Sequence, residues 1–293
     1  DQDVNRFDTR HEFSSTFALG PVNVTPFLVG RATAYDNDFA SFRRGTDPGN
    51  NDKLRLWYSG GVRASTGIQH VDDTIENRFL DLHRLRHVIE PSLTLWAAGT
   101  NLKQNALPVY DEAVESLAEG AAAKFSLANT FQTYRGGEGR WRSVDFLKID
   151  PSLQFATSDT DRESPLKRFF DYRPEYSQLG DAFNLDMVWQ TTDAVAVTFN
   201  QIYDLDIHQT QRISTGVVLD HSADFRTFVE MHYLHPTEST FVSFGGEYRL
   251  TRKYVIGATA TYDVDATAFQ EVSTRLTREF PSFTLAMKLR YNS

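Results

Sequence analysis

The chain has 293 residues, 40% of them hydrophobic and 13% aromatic, and a formal net charge of -9. An acidic balance of that size argues against nucleic acid, which selects basic surfaces. The absence of cysteine excludes disulfides, thiolate metal sites and cysteine nucleophiles. A mean hydropathy of -0.43 reads as soluble on its own, but a β-barrel escapes that test because every second residue of its wall is polar.

Period-two alternation, punctuated by Gly, Pro, Asp and Asn, predicts roughly 15 strands, each long enough to cross a bilayer at a tilt. In chain order the spans are 7–19, 22–35, 54–69, 85–97, 121–134, 143–157, 168–178 and 183–191. The remainder are 194–203, 210–219, 225–234, 240–250, 254–263, 268–278 and 282–291. Alternation is clearest in Phe183, Leu185, Met187 and Trp189, interleaved with Asn184, Asp186 and Gln190. It recurs in Phe283, Leu285, Met287, Leu289 and Tyr291, interleaved with Thr284, Lys288 and Arg290. One face of each strand is therefore apolar and the other polar, as a barrel wall between lipid and a wet lumen requires.

Tight connections such as Gly20-Pro21, Gly180-Asp181, Thr192-Asp193 and Pro281-Ser282 favour antiparallel hairpins. Four connections are longer and polar: 36–53, 70–84, 98–120 and 158–167. Counting hairpins back from a last strand that ends in the periplasm sends 36–53, 98–120 and 158–167 to the opposite, extracellular rim, where barrels place long loops. The same count is odd, which hints at upstream strands outside this chain. Within 98–120, Asp111 as an N-cap, apolar Val114 and Leu117 and a terminal Gly120 leave a short helix and an irregular loop equally open.

Candidates to carry chemistry are sparse. His232 and His235 lie three apart, on opposite faces of a strand or across a turn, so they do not converge as metal ligands need to. His83 and His87 would suit a helix, but Ile89, Pro91, Leu93 and Leu95 continue their segment as a strand. Ser214 or Ser243 with His232 on neighbouring strands could be named for a hydrolase, yet no G-x-S-x-G elbow is present and nothing marks either serine as activated. The acidic stretch Ser158 to Glu163 lacks the glycine and spacing of a calcium loop. Charged and polar-face residues Arg31, Arg55, Arg63, Glu230, His232, Glu247, Glu271, Arg275, Lys288 and Arg290 are the candidates to line a hydrated lumen. Whether they merely pair across strands or form a dedicated path stays open, with pairing favoured. Trp57, Trp96, Trp141, Trp189, Tyr254 and Tyr262 fall near strand ends or on lipid-side registers, where aromatic girdles are expected.

The stretch Leu85-Arg86-His87-Val88-Ile89-Glu90-Pro91-Ser92-Leu93-Thr94-Leu95 resembles a segment of the outer-membrane lipopolysaccharide-assembly barrel, the LptD or organic-solvent-tolerance family. Val24-Thr25-Pro26-Phe27 with Gly30, Arg31, Thr33, Ala34 and Tyr35 is similar to the strand before it. Leu107-Pro108-Val109-Tyr110-Asp111 and Leu127 to Thr133 are similar to a later loop and strand. The resemblance covers about residues 7 to 150 in matching order, and lacks the family's periplasmic domain and the cysteines of well-studied members. It implies a barrel that receives lipopolysaccharide from a periplasmic lipid-transport bridge, works with an outer-membrane lipoprotein plug, and performs no catalysis.

The expectation is thus an all-β chain, an antiparallel transmembrane β-barrel or a large part of one, forming a single domain over 1–293 in the cell outer membrane and lacking upstream strands and a periplasmic N-terminal domain. The expected function is lipopolysaccharide transport and insertion into the outer leaflet, with a porin or uptake channel as the alternative. Expected partners are lipopolysaccharide, the lipoprotein plug, the bridge and outer-membrane lipids, with no nucleic acid, no cofactor, no metal and no catalytic residue.

Overall fold

The computed structural model describes residues 5–36, 53–102, 111, 113–157, 173–176 and 180–292. Among these residues, alternating β-branched, aromatic and polar side chains produce one antiparallel sheet of sixteen strands. The first eight are β1 (Arg6–Ser14), β2 (Phe17–Leu19), β3 (Val22–Tyr35), β4 (Leu54–Ser65), β5 (Ile68–Asn77), β6 (Leu82–Thr100), β7 (Gly120–Arg135) and β8 (Arg142–Ala156). The second eight are β9 (Ala182–Thr192), β10 (Val195–Asp204), β11 (Gln209–Ser222), β12 (Phe225–Leu234), β13 (Ser239–Thr251), β14 (Tyr254–Asp263), β15 (Ala268–Glu279) and β16 (Thr284–Asn292). Leaving β2 and β5 aside, the strands pair in chain order from β1 to β16. Among the described residues no ladder joins these two end strands.

Two of the sixteen strands are continuations rather than new crossings. β1 and β2 pair with β3 in one unbroken register, and the gap between them lies opposite Pro26. β4 and β5 likewise share one register against β6, with the gap opposite Pro91. Proline has no N–H to give the ladder, so only one bond survives at each gap, Ser15 N to Pro26 O (3.3 Å) and Thr66 N to Pro91 O (3.2 Å). Joining the pieces leaves the fourteen positions of the sheet path, an even number.

Two sequence expectations change here, and one open alternative is decided. The expected connection 70–84 is mostly strand, because β5 runs to Asn77 and β6 starts at Leu82. The expected strand 168–178 is a 3-10 turn at Pro174–Tyr176, where the proline fixes φ and withholds a donor; its other residues, apart from Arg173, lie outside the described residues. Between the two alternatives left open at 111–120, the described residues form a single turn, in which the backbone N–H groups of Val114 and Glu115 both reach Asp111 O. The loop with Arg43 and Arg44 and the acidic stretch Ser158 to Glu163 also lie outside the described residues.

Connections sort by rim. Gly20-Pro21, 78–81, 136–141, Asp193-Ala194, 223–224, 252–253 and 280–283 turn at one rim. The segments 36–53, 101–119 and 157–181 leave from the other rim, together with the turns 205–208, 235–238 and 264–267. Two of these turns repeat one device. Asp204 Oδ1 accepts the N–H of Asp206 and Ile207, and Asp263 Oδ1 accepts those of Asp265 and Ala266. Each ends on a residue at positive φ, His208 and Thr267.

The sheet has two unlike faces. Leu28, Tyr58, Phe125, Phe244, Leu285, Met287 and Leu289 stand on the outer face with 44–65% of their surface exposed. On the inner face the registers align Arg10 with Arg31 and Trp57, and Thr33 with Arg55. A buried cluster of Phe27, Val29, Trp57, Trp96, Leu117, Ala118 and Ala122 sits there. Trp57 and Trp96 therefore pack inward, 6.5 Å apart, instead of joining a lipid-side girdle, because their strand positions share the parity of the inner face. Gly61 makes room for this core: a Cβ there would strike the Leu95 carbonyl and the Phe27 ring. Arg63 lies 4.0 Å over that ring.

Candidate functional site

Residues 113–118, from the connection between β6 and β7, fold back against the inner face of β1, β3 and β4. This segment has no ladder of its own, so its buried carbonyls need donors from elsewhere. The wall supplies them as arginines and a tryptophan. Arg31 Nη1 donates to Ala113 O at 2.6 Å. Arg55 donates to Val114 O through Nη2 and to Glu115 O through Nη1 (3.0 Å). Trp57 Nε1 donates to Ala118 O at 3.0 Å. Val114 and Leu117 are buried beneath, which is the apolar share of the anchoring.

Glu115 is the centre of the clamp, only 1% exposed. Its Oε1 accepts from Arg6 Nη1 (2.5 Å) and from the Tyr35 hydroxyl (2.8 Å), and its Oε2 accepts from Asp111 N (2.7 Å). A second carboxylate, Glu175 of the 3-10 turn, is held by Arg10 through Nη2 (2.6 Å) and Nε (3.0 Å). Its backbone oxygen accepts from Ala118 N, which ties the two inward segments together. Asp8 takes a two-pronged bond from Arg31 (2.9 and 2.8 Å) and a bond from Thr33 Oγ1 (2.7 Å). Each buried carboxylate here has an arginine partner, the condition under which buried ions are tolerated, whereas Arg55 meets only oxygens of Val114, Glu115 and Thr33 and its Nε has no partner among the described residues. The arrangement fixes a short stretch of chain and several charges against the inner face of β1, β3 and β4.

All ten residues singled out from sequence fall on this inner face by strand parity. Arg31 and Arg55 belong to the clamp, and Arg63 stands below it on Phe27. Glu271 meets Lys288 Nζ at 3.4 Å and Arg290 Nε at 3.3 Å. Glu230 meets His232, which in turn bonds Ser214 Oγ at 2.8 Å. Ser214 is buried in the ladder, so that contact satisfies a covered hydroxyl, and Ser243 bonds Thr261 instead. Glu247 faces Arg226 across the β12–β13 ladder, and Arg275 pairs in register with Lys288.

His83 and His87 do not converge. His83 packs edge-on to Trp141, while His87 stacks on Phe131 at 4.1 Å. Among the described residues no group of three or more His, Cys, Asp or Glu is placed to hold a metal. Sequence reasoning missed Arg6, Asp8, Arg10, Glu115 and Glu175. The available signal was Val114 and Leu117 set among the acidic residues Asp111, Glu112, Glu115 and Glu119, together with arginines at inner-face parity on adjacent strands.

No protein-family model and no curated protein matches the chain. Solved structures do. A protein from work on the asymmetric conductivity of engineered proteins is 9% identical over 98% of this chain and 90% of its own, with a TM-score of 0.33. A triple mutant of the Rh. blastica porin is 9% identical over 98% and 90%, with a TM-score of 0.34. A five-site mutant of the same porin covers 97% and 90% at 9% identity, with a TM-score of 0.35.

The resemblance to the lipopolysaccharide-assembly family is corrected by these results. No family model matches the chain, and the matching solved structures named above include mutants of a porin and no barrel of that family. The quoted string Leu85 to Leu95 is the middle of β6, where alternation about a ladder-breaking proline is what a two-faced strand requires. Such strings report strand grammar, and the transport role and partners inferred from them lose that support.

Proposed function

We propose that this chain is an outer-membrane β-barrel channel for small hydrophilic solutes, with its passage narrowed by the clamped segment 113–118. The observation that carries the reading is the division of one continuous antiparallel sheet into an apolar exposed face and a polar face that holds an inward-folded segment. A bare outer face of Leu, Phe, Met and Tyr is far larger than the apolar patches that water tolerates, and lipid is the solvent that suits it. Strands of nine to nineteen residues are long enough to cross a bilayer when tilted. No helix among the described residues is long and apolar enough to cross a membrane, a statement that does not bear on strands.

The activity is passage rather than chemistry. Polar and charged inner-face residues keep a water path open, while the clamp sets its width and its fixed charge. The test is reconstitution of the folded chain in planar lipid bilayers. Stepwise, ohmic current increments are expected; a chain that inserts as a heat-modifiable barrel and stays electrically silent would sink the reading.

A further inference from the structure

At the short-turn rim, away from the clamp, the inner faces of β5 to β8 enclose a cavity of about 280 Å³. Its charged lining residues are Arg84 and Arg86, with Gln69, Gln132, Tyr134 and Ser143 supplying neutral polar groups. A liquid water occupies about 30 Å³, so the space suits a solute of several heavy atoms.

Arg86 is fixed in an unusual way. Its Nε (3.0 Å) and Nη2 (2.5 Å) both donate to Gln69 Oε1, and its Nη1 donates to Gln132 Oε1 at 3.1 Å. Both acceptors are uncharged amide oxygens, so they orient the guanidinium without neutralising it. Gln132 is itself held by Asp145, which accepts from its Nε2 at 2.8 Å. Three of the five N–H donors of Arg86 are used, which leaves one on each terminal nitrogen, the fork that meets an oxyanion.

Arg84 is aimed beside it at a backbone cost. It sits at φ 61° within β6, opposite an irregularity of β5 between Asp72 and Glu76. Positive φ in a bulky residue inside a strand, here its third position, is an outlier that the surroundings must enforce, and such outliers gather at ligand sites. Thr133 Oγ1 pins that bend through the carbonyls of His83 and Arg84. Arg84 Nη1 donates to the Tyr134 hydroxyl (3.3 Å), and Nε pairs with Asp73 (2.6 Å). The Asp73 pair is largely exposed, and exposed pairs contribute little, so an incoming anion can displace it.

We propose that this cavity binds a small soluble anion bearing a phosphate or carboxylate, held between the guanidiniums of Arg84 and Arg86. Its place on the inner face makes the anion a solute of the channel rather than a lipid headgroup. The inference rests on the channel reading and names a class of solute for it.

The test is titration of inorganic phosphate, and separately of acetate, into the folded full chain in detergent, followed by calorimetry. Saturable binding of at least one anion is expected, weakened about tenfold or more by Arg86→Gln. Arg86→Lys should fall between them, because an ammonium keeps the charge but lacks the fork. Arg252→Gln, which removes the same charge from a distant turn, should leave binding unchanged. If Arg86→Gln fails to fold, Gln69→Leu is read in its place, with the same direction of loss. Wild-type affinity in a folded Arg86→Gln variant, or no saturable binding of either anion, overturns the proposal. Anion binding without bilayer current would keep this site and remove the channel; current without binding would do the reverse.

Discussion

The wall β1–β4 and the wall β12–β16 are built from the same kinds of residue on the same face of one sheet, yet they solve different electrostatic problems. On the first wall Arg31, Thr33 and Arg55 are buried beside the inward segment, and the guanidiniums of Arg31 and Arg55 are committed to carbonyls and a carboxylate. On the second, Arg226 and Arg290 keep 61% and 51% of their side chains in the open. A polar side chain on an inner face is therefore not one kind of object. Covered by chain, it is a structural tie that must be satisfied; left bare, it is a solvated charge.

The sharpest way to break this contrast is Glu115→Gln. It removes the charge that faces Arg6, a partly exposed arginine that keeps Asp111 at 3.6 Å, and weakens the bonds from Tyr35 and Asp111, at a cost of about 1.5–3 kcal/mol for bonds to a charged group. The inward segment should loosen while the sheet persists. The expected readouts are faster protease cleavage within 111–119 and larger, noisier current steps in bilayers. Unchanged cleavage would mean that the apolar anchors Val114 and Leu117 hold the segment unaided.

Gly61→Val probes the same wall through packing instead of charge. The added methyls would meet the Phe27 ring and the Leu95 carbonyl, and overpacking of this kind costs about 1–3 kcal/mol. Urea unfolding in lipid vesicles should show a lower midpoint, without the protease sensitivity of Glu115→Gln. The smallest effect belongs to the open wall. Lys288→Ala removes an exposed contact to Glu271, worth about 0–1 kcal/mol and further screened by salt. Its unfolding midpoint should match wild type within error at high salt, while ion selectivity shifts toward cations. A loss as large as that of Glu115→Gln would erase the distinction between the two walls.

Much of the fold was legible because strand parity is a local property. The spans 7–19 and 22–35 anticipate the β1–β3 ladder and its turn at Gly20-Pro21, and strands from 183 onward fall within a few residues of β9–β16. The inner-face residues Arg31, Arg55 and Glu271 were assigned by counting twos. The clamp was not legible as a clamp. Its contacts join Arg6 to Glu115 and Arg10 to Glu175, pairs separated by more than a hundred residues, and no periodicity encodes them.

By itself the sequence determined an all-β chain of two-faced strands in hairpin order, and it determined which side chains share a face, because a pleated backbone alternates its side chains whatever surrounds it. Tertiary structure alone decided the rest. It turned Trp57 and Trp96 into core residues, made Pro174–Tyr176 a turn rather than a strand, and drew residues 113–118 inward. The physical reason is that a connection takes its place only from partners that the curved sheet brings within reach, and those partners exist only once the walls have formed.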